Sequence, residues 1–117
     1  MNKIEITKDA DALICLMYKK YCENRKAGKS IEESVCMGDD TDIVETLSPK
    51  WLLDDITHLC WYLHGKGLLF CMEGSDHANN VCITDDGIRY MQDRFPNGIS
   101  QLIDAISKIA GFVTPWL

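Results

Sequence analysis

The sequence predicts a mainly α fold carrying one small β-hairpin, an α+β class. Three observations point there. Apolar residues recur every three or four positions over most of the chain. Capping residues and glycines punctuate those runs, and two short alternating segments, 68–73 and 81–84, flank the loop GSDHANN. The 117 residues are expected to form one domain, 1–117, with a core over about 8–95 and a further helix over about 98–111. A chain of this length buries roughly two thirds of the surface that its unfolded form exposes.

KDADALICLMYKKYCENRKA, 8–27, reads as the first helix, capped by Thr7 or Asp9 and stopped by Gly28. Its apolar residues Leu13, Ile14, Leu16, Met17, Tyr18, Tyr21 and Cys22 spread over more than one stripe. Such a helix must be covered on two sides, by a later helix or by a second subunit. Ser30-Ile-Glu-Glu33 is a capping box, opening a short helix that reaches about Met37, with Gly38 as its stop. Residues 41–47 make another helical turn or two. Ser48-Pro49 opens the next helix, with serine as N-cap and proline at the first position, where no amide hydrogen is needed. That helix runs to about His64 with Leu52, Ile56, Leu59, Cys60 and Leu63 as its core stripe, and Gly65 and Gly67 end it.

The two alternating segments pair as strands. Phe70 opposite Ile83 and Met72 opposite Val81 share one face, which sets Cys71 opposite Cys82 on the other. Thr84 then caps a fourth helix whose first turn holds Asp85 and Asp86, and which buries Ile88, Tyr90, Met91 and Phe95. Pro96-Asn97-Gly98 breaks the chain, and Asn97 caps the last helix. There Ile99, Leu102, Ile103, Ile106, Ile109, Ala110 and Val113 recur at three and four.

The segment ITDDGIRYMQDRF, 83–95, resembles the Leu-Thr-x-x-Gly junction at which the wing meets the next helix in winged helix-turn-helix regulators such as the MarR and PadR families. It is also similar to small bacterial and mobile-element winged-helix proteins with the pattern Leu-Thr-x-x-Gly-Ile-x-Tyr-Met-Glu-x-Arg-Phe; here Ile83 replaces the leucine and Gln92 the glutamate. The resemblance implies a winged helix-turn-helix over about 8–95 with an added C-terminal helix. It also implies a non-enzymatic, DNA-binding transcription regulator, working as a homodimer. The segment MNKIEITKD has no apolar signal-peptide core, so the cytoplasm is the expected location. On that fold the helix after Ser48 meets the major groove of double-stranded DNA, so Lys50, Trp51 and His58 are candidate contacts. Lys19, Lys20, Arg25, Lys26 and Lys29 are the only basic concentration; the first four are candidate phosphate contacts, unless these charges only answer the helix dipole and solvent. Ile99, Leu102, Ile103, Ile106, Ile109 and Val113 are the candidate dimer seam, unless that helix folds back on its own subunit. The stretch 38–48 exceeds the usual turn of three or four residues unless 41–47 is itself the second helix.

Charge argues the other way. The net charge is −6, from 12 basic and 18 acidic residues, whereas phosphate contacts supply most non-specific affinity for DNA. Lys50 and Lys66 only balance Asp54 and Asp55 over 49–66. Over 73–86, Glu73, Asp76, Asp85 and Asp86 stand with no Lys or Arg. These residues suit a second reading, a winged-helix module that joins proteins without binding DNA. Six cysteines at 15, 22, 36, 60, 71 and 82 include no C-x-x-C, so the usual zinc layouts are absent and no metal or cofactor is expected. A reducing compartment would leave them as thiols. No Gly-rich phosphate loop or nucleophile elbow points to catalysis. No apolar run approaches the roughly 20 residues that span a bilayer, so no membrane is expected as a partner.

Overall fold

Residues 4–108 are described by a computed structural model. Among them the chain runs α1 (Lys8–Lys26), α2 (Ile31–Val35), β1 (Cys36–Gly38), α3 (Asp40–Thr46), α4 (Leu53–Gly65), β2 (Leu69–Gly74), β3 (His77–Ile83), α5 (Asp85–Arg94) and α6 (Ile99–Ser107). It is a mainly α, α+β architecture, with the three strands in one antiparallel sheet ordered β1-β3-β2.

Helix α1 is the hub. Thr7 caps it through its hydroxyl, which accepts from the Ala10 amide. Every residue from Ala12 to Tyr18 is buried. The two-sided cover that this girth demands comes from the same chain, since α2, α4, α5 and α6 all pack on α1. A bidentate ion pair between Arg94 and Asp11, with Nη2–Oδ2 at 2.7 Å, joins the end of α5 to the start of α1. Ser30 and Glu33 form the expected capping box.

Three boundaries differ from the sequence reading. Residues 36–38 are not the end of a helix but a short edge strand, paired to β3 through Cys36–Cys82 and Gly38–Val81. Helix α4 begins at Leu53 rather than at Pro49. Ser48 is spent on the preceding helix, where its amide and its hydroxyl both donate to the Ile43 carbonyl, and residues 48–51 close a separate turn. Leu52 therefore precedes the helix and is 69% exposed, so it leaves the core stripe; Ile56, Leu59, Cys60 and Leu63 remain in it. Finally, α6 is capped by Gly98 at φ +87°, and the Asn97 amide donates instead to Gln101 Oε1.

The hairpin corrects the expected register. Gly74 pairs with His77 across a two-residue turn in which Ser75 and Asp76 both hold positive φ, the twist that suits a tight hairpin. Further along, Asn80 at φ +48° coincides with a register shift between the Phe70–Cys82 and Met72–Asn79 pairs. That bulge moves β3 by one side chain, so Ala78, Val81 and Ile83 all point to the core. On β2, Leu69 and Cys71 point inward while Phe70 and Met72 lie about half exposed, at 48% and 49%. Phe70 thus faces away from Ile83 rather than sharing its face, and Cys71 and Cys82 lie on opposite faces.

The Thr-x-x-Gly segment is explained by contact. Thr84 Oγ1 accepts from the Gly87 amide and donates to the Gly67 carbonyl at 2.7 Å, while the Thr84 amide donates to Leu68 O. The first turn of α5 thereby lies directly on the chain entering β2. A Cβ on Gly87 would come 2.3 Å from Leu68 O and 2.8 Å from Ile83 Cγ2. Gly87→Ala should therefore cost about 1–3 kcal/mol of stability, the range for overpacked sites. Chemical denaturation reads this directly, and a variant as stable as the parent would show that the close approach is not required.

Candidate functional site

The surface most suited to a partner is built by α3, the turn 48–51, the first half of α4 and the hairpin. What fixes these pieces to one another is Asp40, whose side chain is completely buried. One oxygen, Oδ2, accepts from the Thr57 hydroxyl of α4 at 2.6 Å and from the Ala78 amide of β3 at 3.0 Å. The other, Oδ1, lies 3.1 Å from His77 Nδ1. Its neighbour Asp39 accepts from the Asn80 amide at 2.9 Å, so the α3 N-terminus is sewn to the strand just before the bulge and at the bulge itself.

Burial by itself would raise the Asp40 pKa. The hydrogen bonds from Thr57 and Ala78 and the nearby His77 outweigh that cost and hold it below the ordinary carboxylate value. Neither Asp40 nor His77 is singled out by the sequence. Asp40 sits in GDDTD, which reads as a solvated acidic stretch, and its partners lie 17, 37 and 38 residues away.

The candidate DNA contacts fall into two groups. Lys19 and Lys20 line a cleft with Leu16, Glu23, Thr46, Leu47 and Pro49, which brings this part of α1 to the segment carrying Lys50. Lys19 also pairs with Glu23 at 2.8 Å. Lys50 is exposed, Trp51 is half-buried against the core, and His58 is exposed on α4. Lys50 and Trp51 precede α4 rather than belonging to it, a consequence of its late start. Arg25 and Lys26 occupy the last turn of α1, outside the lining of that cleft; the Arg25 guanidinium donates to Lys29 O at 2.9 Å, holding the chain that leaves the helix.

Exposed around the same face are Asp54, Asp55 and Leu52, with Glu73 and Asp76 toward the hairpin tip.

The candidate dimer seam is divided by the packing of α6 on α1. Leu102 and Ile106 are buried in their own chain, at 0% and 3% exposure, which removes them from a seam with another subunit. Ile99 and Ile103 stay exposed at 37% and 46%, and Ile109 and Val113 lie outside the described residues. Among the described residues no cluster of three or more His, Cys, Asp or Glu side chains is placed to hold a metal ion. No helix among them is long and apolar enough to cross a membrane. No protein-family model, curated protein or solved structure matches the chain.

Because the Asp40 pKa is depressed in the folded state, its contribution to stability is complete above the unfolded carboxylate value of about 3.9 and is lost as pH falls through the folded value. Thermal midpoints should hold steady above about pH 5 and fall below about pH 4, and Asp40→Asn should flatten that acid limb. Asp40→Ala should cost about 2–4 kcal/mol by leaving buried donors unpaired. An unchanged acid limb in the Asn variant would show that the carboxylate is not the group responsible.

Proposed function

We propose that the chain is a winged-helix protein that binds double-stranded DNA and acts in transcription regulation in the cytoplasm, with no catalytic step. The observation that carries this reading is the order of parts around Asp40. A helix pair, α3 and α4, is followed by a tight hairpin, and β1, lying just before the pair, completes the sheet. In this reading α3 and α4 are the two helices of the DNA motif, β2 and β3 the wing, and α4 the groove-facing helix. Lys50, Trp51 and His58 face the duplex, and Lys19 and Lys20 reach phosphate across the cleft. Arg25 and Lys26 sit farther round on α1 as weaker phosphate contacts. The exposed Ile99 and Ile103 of α6 form the homodimer seam.

A second reading rests on a different observation. Leu52, Phe70 and Met72 are exposed, and the hairpin tip carries Glu73 and Asp76 with no lysine or arginine, features better matched to a protein than to phosphate. In that case the winged-helix architecture serves protein association alone.

A titration of mixed-sequence duplex DNA at about 50 and 200 mM salt separates the two. Contacts by Lys19, Lys20 and Lys50 predict a slope of log affinity against log salt of about −3 per chain, about −5 for a bound dimer, lost on replacing all three with glutamine. Two chains should bind per duplex site. Absence of binding at the lower salt would overturn the DNA reading, and one chain per site would overturn the dimer.

A further inference from the structure

Cys36 and Cys82 face each other across the β1–β3 seam, paired in register, with their sulfurs 3.2 Å apart. They lie on the sheet face away from the core, Cys36 exposed and Cys82 half-buried. A disulfide needs its sulfurs at about 2.0 Å, so a movement of about one ångström closes the bond. We propose that Cys36 and Cys82 are a thiol-oxidation site, converted to a reversible cross-strand disulfide by low-molecular-weight disulfides.

The two thiols have different tasks. Cys36 is the exposed member, open to a small disulfide from solvent. Burial, followed by the hydrogen bond with Cys36, pushes the Cys82 thiol up to about 12, so it waits as a protonated neighbour rather than competing for the first attack. In the first step the Cys36 sulfur bonds to one sulfur of the small disulfide; the other sulfur leaves and takes up the proton that Cys36 gives up. In the second, the Cys82 sulfur bonds to Cys36 Sγ, the mixed disulfide breaks, and the departing thiolate takes the Cys82 proton. The protein loses two hydrogens, and one small disulfide becomes two thiols.

The other cysteines are poor competitors. Cys15, Cys60 and Cys71 are buried with thiols raised by that burial, and Cys71 lies against the Cys60 carbonyl on the core side of the sheet. Cys22 is half-buried on α1, and burial raises its thiol too. The disulfide would act on more than the seam. β1 runs through Asp39 into α3, and Asp39 and Asp40 hold Asn80 and Ala78 of the same β3. A covalent tie at 36–82 therefore fixes the sheet edge from which α3 departs, whatever that helix pair binds.

Incubation of the full chain in a buffer of oxidised and reduced glutathione, followed by alkylation and trypsin, tests this. The expected product is a linked pair of peptides, 30–50 and 67–89, in which fragment-ion sequencing assigns the bond to Cys82 and finds Cys71 alkylated. Reducing agent should reverse it, and the oxidised chain should melt roughly 10 °C higher than the reduced one. Three results would overturn the proposal: no linked peptide in excess oxidised glutathione, a bond to Cys71, or glutathione retained on Cys36 with Cys82 still free.

Discussion

A single buried carboxylate holds the working half of this molecule together. Asp40 has no access to solvent, yet it remains in its ionised form because a hydroxyl, a backbone amide and an imidazole nitrogen surround it. The hydroxyl comes from α4, and the amide and the imidazole from the start of β3, so satisfying the charge and docking α4 and the hairpin onto α3 are the same event. A buried acidic group with fewer partners would cost several kcal/mol and drive the elements apart. Meeting that demand leaves little freedom in the angle between α3 and α4 or in where the hairpin starts.

The consequences run outward from that point. Thr57 turns toward Asp40, which leaves Asp54, Asp55 and His58 on the open side of α4. Tying Asn80 to Asp39 stabilises the bulge, and the bulge in turn places Cys82 on the outer face of the sheet, where the alternation of β2 also puts Phe70 and Met72. The same geometry that joins the helix pair to the hairpin therefore also exposes apolar and sulfur-bearing side chains on the sheet. The first property favours DNA; the second, with a net charge of −6, favours other partners. Lys19 and Lys20 line one cleft with Pro49 of the 48–51 turn, the placement on which phosphate contacts in the proposed reading depend.

Local signals in the sequence were enough wherever the cause is local. The Thr7 cap, the Ser30–Glu33 box and the Thr84–Gly87 turn each close within three residues, and each lies where the pattern puts it. Ser48-Pro49 misleads because two helices compete for one serine, and the end of α3 wins it. β1 is three residues long, too short for any alternation to register, and exists because β3 offers it a free edge. The hairpin register was hidden by Ser75, Asp76 and Asn80, non-glycine residues whose positive φ has no strong composition signal. Asp40 was invisible for a deeper reason. Only the folded chain brings Thr57, His77 and Ala78 to a residue that, in its own neighbourhood, looks like one more surface acid.

The most direct measurement is native-state amide hydrogen exchange at Ala78, whose N–H donates to Asp40 Oδ2 close to the hairpin turn. If the buried carboxylate governs the arrangement, this amide exchanges only with global unfolding, as slowly as the amides of α1 around Met17. Exchange at the rate of the Ser75–Asp76 turn would contradict the account, because it would mean that the hairpin opens without disturbing the helix pair.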